Sequence, residues 1–328
     1  MHDFSTLIEK IRGAEYILIY THSFMDGDAL GSSQALCLAF RKLGKNAWVM
    51  LSKPCPEYLE FLSCGCFTFE APFEPDLSAA VDIGDDSRLE ALLDEFYKAP
   101  ERICIDHHVR TSDFCGNDHV VDPKAAAAGC LVYELLVQMG VEIDSEIATQ
   151  LYAAICTDTG SFRQTNTDEE SMIVCAKLMS LGARYVEVCS EIYSSYPLSQ
   201  LKLEAHVLSR SVSVAEGAGI ISWCTEEDYE SLGSNESQAE TCIDRLRSVK
   251  GVEIAAMIKA RHGEYKLSLR SKKGADVRLI AQKFGGGGHK MASGATVNMP
   301  LESAVEMLKA EIEAAITAYK IEIGEYRT

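Results

Sequence analysis

Acidic and imidazole side chains follow several short apolar stretches of this sequence, and such groups together can bind metal ions that catalyse hydrolysis. The most compact group is Asp106-His107-His108, which comes directly after Ile103-Cys104-Ile105. A buried strand that ends in such residues brings them to the carboxyl edge of a sheet, where α/β proteins bind their ligands. Taken alone, the triplet favours a simpler interpretation, a polar strand end followed by a helix cap.

Three further apolar stretches are followed by the same kinds of residue. Residues 21–28 (THSFMDGD) contain one imidazole and two acids, and Gly27 allows a tight turn between the acids. Asp82 follows Ala79-Ala80-Val81, and Asp158 follows the apolar face of a predicted helix. Because these groups would repel and desolvate one another beside apolar runs, the pattern predicts cations among them.

The residue types indicate which cations these are. Carboxylates and imidazoles without thiolates suit Mn²⁺, Fe²⁺ or Co²⁺ better than Ca²⁺ or structural Zn²⁺. The candidate ligands are too many for one tetrahedral ion, and two ions about 3.5–4 Å apart that share a carboxylate fit their number. Ion pairs of this kind catalyse in-line displacement at phosphorus. We therefore expect hydrolysis of a phosphate ester.

A glycine run in the second half of the chain is a candidate anion-binding loop. Residues 285–288 are four consecutive glycines, and His289 and Lys290 follow them. Backbone N–H groups in such a loop can approach and cradle an anion. Arg270, at the end of a predicted strand, supplies a guanidinium suited to bidentate phosphate contact. These cations predict a second domain that faces the metal-bearing domain across a cleft.

The predicted elements explain how these residues are positioned, because strands and helices alternate in the pattern of βαβ units and a mostly parallel sheet. The predicted strands lie at 14–21, 46–51, 79–81, 102–105, 219–224, 252–259 and 265–270. The predicted helices lie at 29–43, 87–97, 125–139, 145–156, 168–181, 200–209 and 301–318. A length of 328 residues suggests about two domains at roughly 150 residues each.

We therefore predict an α/β protein of two domains. Domain 1–192 is expected to carry a mostly parallel sheet with helices on both faces. The stretch 193–200, which contains Ser, Tyr and Pro, is the predicted linker and hinge. Domain 201–328 is expected to be a smaller α/β domain with a mixed sheet. The active site is expected in the cleft between the domains.

Composition argues against several other classes of protein. No apolar stretch is long enough to span a membrane and no signal-peptide pattern occurs, so we expect a cytoplasmic protein without membrane contact. A net charge of -18 disfavours long duplex nucleic acid, although bound cations allow small phosphorylated substrates. The 12 cysteines lack a CxxC pair and are expected to be reduced and mostly buried.

Together these motifs resemble the DHH phosphoesterase family, which is named for the triplet at 106–108, with its DHH-associated C-terminal domain. The resemblance covers nearly the whole chain. The four motifs of the first domain correspond to residues 21–28, 81–82, 106–108 and 157–160. The two signatures of the associated domain correspond to residues 268–271 (SLRS) and 285–294 (GGGGHKMASG).

The resemblance implies two Mn²⁺ ions with a shared ligand, Asp82. The ligands of one ion would be His22, Asp26 and Asp82, and those of the other would be Asp28, Asp82, His107 and Asp158. Asp85 and Asp86 crowd the second motif and are alternatives to Asp82, which we prefer because it directly ends the apolar run.

The resemblance also implies catalytic and substrate-binding residues. His108 would face the substrate phosphate or the leaving oxygen, and Asp106 would hold an imidazole in the required tautomer. The substrate would be bound by Arg270, Gly286, Gly287, Gly288 and His289. Water activated by the metals would attack phosphorus while His108 assists departure of the nucleoside oxygen.

Within the family, the length of the chain and the GGGH run favour enzymes similar to nanoRNases over RecJ-type exonucleases, membrane-tethered cyclic-dinucleotide phosphodiesterases and family II pyrophosphatases. Such an enzyme would hydrolyse dinucleotides to about pentamers, including linear pApA and pGpG, to mononucleotides. It would also remove the 3′-phosphate of adenosine 3′,5′-bisphosphate. A stand-alone cyclic di-AMP phosphodiesterase and a catalytically silent nucleotide-binding regulator are the alternatives.

The sequence departs from many relatives in two places. Met25 stands where many have Pro, and residues 125–130 (AAAAGC) lack the Ser or Thr and the Glu found there in many relatives. Neither position is a metal ligand in the resemblance, so we expect an effect on substrate preference and pocket shape. The Glu-rich final helix is compatible with a solvated face or with a homodimer interface.

Overall fold

The computed structural model describes residues 2–110, 114–115 and 118–324 and divides into two compact units, Met1–Ser195 and Tyr196–Thr328. The first unit contains α1 (Ser5–Gly13), β1 (Tyr16–Tyr20), α2 (Gly27–Lys42), β2 (Asn46–Met50), β3 (Phe67–Thr68), β4 (Leu77–Val81), α3 (Leu93–Phe96), β5 (Glu101–Asp106), β6 (His119–Val121), α4 (Ala128–Met139), α5 (Ser145–Asp158), α6 (Glu169–Ser180) and α7 (Tyr185–Ser194). The second unit contains α8 (Leu198–Ser209), β7 (Val212–Val214), β8 (Gly219–Cys224), α9 (Glu226–Leu232), α10 (Cys242–Ser248), β9 (Ile254–Arg261), β10 (Glu264–Ser271), α11 (Val277–Lys283), β11 (Gly287–His289), β12 (Ala292–Val297) and α12 (Leu301–Glu322).

The sheet of the first unit is parallel throughout its described pairings. Its strand order is β3-β2-β1-β4-β5-β6. The chain first builds outward from β1 to β2 and β3, and then continues from β4 on the other side of β1. The mostly parallel sheet predicted from the alternating pattern is confirmed. Such a reversal of strand order opens a crevice beyond the carboxyl ends of the two central strands.

The two faces of this sheet carry different cores. Ile17 and Ile19 of β1 belong to a core with the apolar faces of α1, α2, α4 and α5. Leu18 and Tyr20 point to the other face, where they pack with Phe96 and shorter segments. The alternation follows from the two-residue period of a strand. Both faces are therefore buried, which makes β1 a rigid support for the residues that follow it.

The prediction of one continuous helix at 87–97 is wrong. Asp86–Leu92 forms 3₁₀ turns, Glu90 has a φ of 49°, and only the single turn of α3 follows. The carbonyl oxygen of Arg88 accepts a hydrogen bond from Ser23 N at 3.1 Å. This tie to the loop after β1 explains why the segment does not continue as one helix.

The second unit has a mixed sheet, as predicted. Its order is β11-β12-β10-β9-β8-β7; β8 and β9 are parallel, and the other described pairs are antiparallel. Ser268 pairs with Gly294, and Gly287 pairs with the same residue from the other side. The two signature stretches at 268–271 and 285–294 therefore lie on adjacent strands.

The segment predicted as a linker, 193–200, contains the end of α7 at Ser194 and the start of α8 at Leu198. The division between the two units falls between Ser195 and Tyr196 within it. Pro197 directly precedes α8, and its fixed φ suits a position just before a helix. Among the described helices of both units, none is long and apolar enough to cross a membrane.

Close packing of α2 against α5 depends on Gly31. A Cβ atom at Gly31 would lie 2.3 Å from the backbone oxygen of Gln150. We expect Gly31→Ala to lower the free energy of unfolding by about 1–3 kcal/mol, because the two helices must move apart. Gly13→Ala is the control, since a Cβ there meets no atom within 4 Å. Urea denaturation compares the variants, and equal stabilities would contradict this packing.

Candidate metal centre

The crevice at the reversal of strand order collects residues from several strand ends. His22 follows β1, Asp82 follows β4, and Asp106 ends β5 with His107 and His108 directly after it. β1 pairs with β4, and β4 pairs with β5. Because neighbouring parallel strands end at the same edge, residues distant in sequence meet here.

One group of side chains that could hold a metal ion consists of His22, Asp26 and Asp82. His22 Nε2 lies 3.4 Å from Asp82 Oδ2 and 3.9 Å from Asp26 Oδ2. One donor atom from each of the three residues lies within 4.8 Å of the others. Asp26 is also the N-cap of α2, where its Oδ1 accepts from the backbone of Asp28 and Ala29. Capping fixes one carboxylate oxygen and directs the other towards His22.

A second group consists of Asp28, His107 and Asp158. His107 Nε2 lies 3.7 Å from Asp28 Oδ2 and 3.8 Å from Asp158 Oδ2. It is also 3.5 Å from Asp82 Oδ1, whereas Asp82 Oδ2 faces His22. Asp82 therefore presents one carboxylate oxygen to each group. Its backbone has a φ of 59°, a left-handed conformation that aspartate tolerates better than most residues.

The other two acids of the second motif are engaged elsewhere. Asp85 Oδ1 accepts from Ser87 N at 2.9 Å, and Asp86 Oδ2 accepts from the Tyr97 hydroxyl at 2.7 Å. Within the described residues, the groups of potential metal ligands include Asp82 and neither of these acids. The geometry thus favours Asp82 over both alternatives.

His108 and Asp106 form a separate pair at the rim of the centre. His108 Nδ1 lies 2.9 Å from Asp106 Oδ1, and Asp106 is fully buried. Since a carboxylate accepts, Nδ1 is the donor, and Nε2 lies on the opposite side of the ring. His108 Nδ1 also lies 3.4 Å from Asp82 Oδ1, so a third potential ligand group contains Asp82, His107 and His108. The hydrogen bond with Asp106 is the main cause that raises the pKa of His108.

The backbone at 125–129 positions the second group through hydrogen bonds that we did not predict from the sequence. Ala125 O lies 3.2 Å from His107 Nδ1 and accepts a hydrogen bond from it, so Nε2 is the nitrogen that faces the carboxylates. Ala128 N and Gly129 N, at the start of α4, donate to Asp28 at 2.6 and 3.0 Å. A helix N-terminus is a favourable place for a carboxylate. These contacts use only backbone atoms, so residue types give no signal of them.

Asn166 connects the same segment to Asp158. Its Nδ2 donates to Asp158 Oδ2 at 3.1 Å and to Ala126 O at 2.9 Å. We expect Asn166→Ala to weaken metal binding about 10–100-fold, the usual effect of losing a side chain that orients a ligand. Isothermal titration with Mn²⁺ measures this change. An unchanged affinity would show that Asp158 is positioned without Asn166.

Burial and neighbouring charges shift the pKa values of the residues in this centre in different directions. Burial and the nearby Asp82 carboxylate raise the pKa of Asp28 well above its usual range, and burial raises the pKa of Asp158 to about 6. Burial opposes ionisation of Asp82, but the His107 and His22 imidazoles outweigh it and lower its pKa to about 2. The same carboxylates overcome the burial of His107 and raise its pKa to about 10. Crowded carboxylates of this kind favour added positive charge.

The donor atoms fit divalent cations. His22 Nε2 and Asp82 Oδ1 are among the buried side-chain atoms of the described residues that lack a hydrogen-bond partner. Buried polar atoms without partners are costly, and metal ligation is one way to satisfy them. Carboxylate oxygens with imidazole nitrogens, and no thiolate, are the donors expected for Mn²⁺-like ions.

In the second unit, Arg270 and His289 lie on strands that flank β12. Arg270 on β10 and His289 on β11 each lie opposite Ala292 of β12, one on either side of that strand. Arg270 Nη1 donates to Leu269 O at 3.1 Å, and no ion pair of Arg270 occurs within the described residues. Gly287, Gly288 and His289 are exposed. The structure therefore brings the predicted substrate-binding residues together within this unit.

Comparison with known proteins identifies the family. The model of the DHH family, N-terminal domain, matches residues 16–155, and that of the DHHA1 domain matches residues 220–318. A Thermus thermophilus protein named bifunctional oligoribonuclease and PAP phosphatase NrnA is 33% identical over 316 residues, which cover 95% of this chain and 93% of that protein. The chain belongs to the DHH family. This confirms the resemblance, and the protein is a hydrolase of this family.

Two further relatives extend the comparison. A Bacillus subtilis protein, also named bifunctional oligoribonuclease and PAP phosphatase NrnA, is 26% identical over 298 residues, which cover 89% of the DHH chain and 92% of that protein. The crystal structure of an exopolyphosphatase-related protein from Bacteroides fragilis has a TM-score of 0.88 at 25% identity. The match covers 98% of this chain and 97% of that protein. The first unit therefore contains the DHH domain, and the second contains the DHHA1 domain.

Proposed function

We propose that this protein hydrolyses very short oligonucleotides, from dinucleotides to about pentamers, and removes the 3′-phosphate of adenosine 3′,5′-bisphosphate. The observation that carries the proposal is the pair of adjacent carboxylate–imidazole groups, with one oxygen of Asp82 facing each. Two relatives that align over most of the chain are named for these two activities. Linear pApA and pGpG belong to the proposed substrates.

The proposed cofactors are two divalent cations, with Mn²⁺ preferred. His22, Asp26 and Asp82 would hold one ion, and Asp28, Asp82, His107 and Asp158 would hold the other. When bound, a metal pair polarises a phosphoryl oxygen and makes water a stronger nucleophile. Two observations support this proposal. His22 Nε2 and Asp82 Oδ1 are buried without a hydrogen-bond partner, and no thiol belongs to the groups of potential ligands in the described residues.

His108 is the proposed proton donor. Its Nδ1 donates to Asp106 Oδ1, so when the ring is doubly protonated the second proton, on Nε2, is the one available to the substrate. Asp106 is buried and cannot swing towards the substrate, which restricts it to orienting the ring. A proton delivered from Nε2 to the departing nucleoside oxygen avoids a poor alkoxide leaving group.

The proposed substrate-binding residues of the second unit are Arg270, Gly286, Gly287, Gly288 and His289. Arg270 can contact two phosphate oxygens at once, and exposed glycine N–H groups can donate to the same anion. These local donors counter the repulsion that a net charge of -18 exerts on phosphorylated substrates.

Of these proposed binding residues, Gly286 also packs closely against β12, whereas Gly287 does not, so variants of the two distinguish packing from binding. A Cβ at Gly286 would lie 2.1 Å from Gly294 O, whereas a Cβ at Gly287 meets nothing within 4 Å. We expect Gly286→Ala to lower the melting temperature. Gly287→Ala should leave the melting temperature unchanged and raise KM about tenfold, because its methyl group obstructs the approach of the substrate. Calorimetry and steady-state kinetics test this, and an unchanged KM for Gly287→Ala would remove Gly287 from the binding loop.

One assay series tests the proposed function. Purified protein with Mn²⁺ is offered dinucleotides to pentanucleotides, linear and cyclic di-adenylate, and adenosine 3′,5′-bisphosphate. We expect turnover of the linear short substrates and release of phosphate from the bisphosphate. Turnover of cyclic di-adenylate alone would favour a cyclic-dinucleotide phosphodiesterase, and binding without any turnover would favour a nucleotide-binding regulator.

A further inference from the structure

Phe24 is exposed in a loop of the metal centre whose other residues, apart from Asp26, are buried. Phe24 is 75% exposed, whereas its neighbours Ser23 and Met25 are 9% and 7% exposed. The loop is held in place, because Ser23 N donates to Arg88 O at 3.1 Å and Asp26 caps α2. Exposure of Phe24 is therefore a fixed feature of the loop that carries two of the clustered ligands.

A cation lies beside this ring. Lys53 Nζ is 4.7 Å from the centroid of Phe24, and it also forms an ion pair with Glu90 at 3.2 Å. Glu90 belongs to the segment whose Arg88 carbonyl holds the loop. An ammonium group over an aromatic face is attractive. Because the ion pair of Lys53 with Glu90 is exposed and therefore weak, the ammonium can exchange Glu90 for a phosphate of the substrate.

Phe24 is close enough to His22 and Asp26 to contact a substrate that is bound at the metal centre. It is two residues from His22 and two from Asp26, so its Cα lies within about 7 Å of each of theirs. That distance is comparable to the span from a phosphate to the base of the adjoining nucleoside. Most of the ring remains open to an incoming planar group.

We propose that Phe24 and Lys53 form a nucleotide subsite, in which the ring stacks on one base of the substrate and the ammonium binds a phosphate of the same nucleotide. This inference rests on the proposed function, because it concerns how a short oligonucleotide binds. Stacking on an aromatic ring tolerates every base, since each has a π face. The subsite would thus select nucleotides over simple phosphate esters without reading sequence.

The experiment uses full-length protein with Mn²⁺ and three substrates: pApA, and two analogues in which either the 5′ or the 3′ nucleotide lacks its base. For Phe24→Ala, we expect KM for pApA to rise about tenfold, the size typical of a lost stacking contact. Wild-type protein should show a similar rise with one of the two analogues. Phe24→Ala should add no further rise with that analogue, because the stacking partner is already absent.

Two controls make the result specific. Phe69→Ala removes another exposed phenylalanine, which is 58% exposed after β3, and it should leave KM for pApA unchanged. Phe24→Trp should restore the wild-type KM for pApA. Addition of pApA should quench the tryptophan fluorescence of this variant more than that of the wild-type protein. Titration with Mn²⁺ should give the same affinity in Phe24→Ala as in wild type, which separates loss of the subsite from damage to the metal loop.

Other outcomes would overturn the inference. If Phe24→Ala leaves KM for pApA unchanged, or raises KM equally for all three substrates, Phe24 is only an exposed surface side chain. If wild-type protein does not hydrolyse pApA, the proposed function fails, and quenching of Phe24→Trp by pApA then tests the subsite separately. Absence of quenching in that case would reject the subsite as well.

Discussion

Replacement of His107 by alanine is expected to lower Mn²⁺ affinity about 100-fold or more, whereas replacement of His108 should retain the metals and reduce kcat about 10²–10⁴-fold. The two residues are adjacent in sequence but face different partners. His107 Nε2 lies within 3.5–3.8 Å of Asp82, Asp28 and Asp158, and its Nδ1 is held by Ala125 O. His108 Nδ1 is instead held by Asp106 at 2.9 Å.

The two variants control for each other, because each removes one imidazole from the same strand end. Equilibrium dialysis with Mn²⁺ gives the occupancy, and steady-state kinetics on pApA gives kcat. Circular dichroism establishes that both variants fold. Equal losses of metal in His107→Ala and His108→Ala would make His108 a ligand, as the third potential group of Asp82, His107 and His108 allows.

Replacement of Asp82 by asparagine is expected to abolish turnover, with a loss of about 1,000-fold or more. Asp82 presents one oxygen to His22 and the other to His107, so its charge acts on both groups. Loss of this charge removes several kcal/mol of cation binding and transition-state stabilisation. Asparagine has nearly the same shape and also tolerates a φ of 59°, so the loop should keep its conformation.

The matched control for this variant is Asp85→Asn. Asp85 is an acid of the same motif, but its Oδ1 accepts from Ser87 N and caps the following 3₁₀ turns. We expect Asp85→Asn to retain Mn²⁺ binding and most of the turnover. Isothermal titration should show fewer than two bound ions for Asp82→Asn alone. Full occupancy and turnover in Asp82→Asn would contradict the shared-ligand assignment.

The residues of the centre were predictable because they follow apolar runs that end at one edge of a parallel sheet. β1, β4 and β5 each have a strong β-type pattern, and the acids and imidazoles come directly after them. Asp158 was predictable from its position at the end of an apolar helix. The structure brings His22, Asp26, Asp82, Asp28, His107 and Asp158 together, while their roles as ligands stay predictions.

The supports of the centre were not predictable, because they use the backbone or depend on distant contacts. The carbonyl of Ala125 and the N–H groups of Ala128 and Gly129 would be available from almost any residue type. Asn166 is eight residues from Asp158 and appears in the sequence as an ordinary polar residue. Only the tertiary structure shows that these groups contact the proposed ligands.

Short elements and interrupted helices escaped prediction for similar reasons. The helical pattern at 87–97 is interrupted at Glu90, where the contact between Arg88 O and Ser23 N overrides local propensity. β6, β7 and β11 have three residues each, too few for a periodic pattern. β12 was missed because its glycine and small residues resemble a loop, although pairing with β10 stabilises it.

The central claim is that one chain holds two divalent cations at the carboxyl edge of the first sheet, with Asp82 between them. Crystals grown with Mn²⁺ and measured at the manganese absorption edge test it most directly. We predict two anomalous peaks about 3.5–4 Å apart, one beside His22 and Asp26 and one beside Asp28, His107 and Asp158. A single peak, or peaks away from Asp82, would contradict the account.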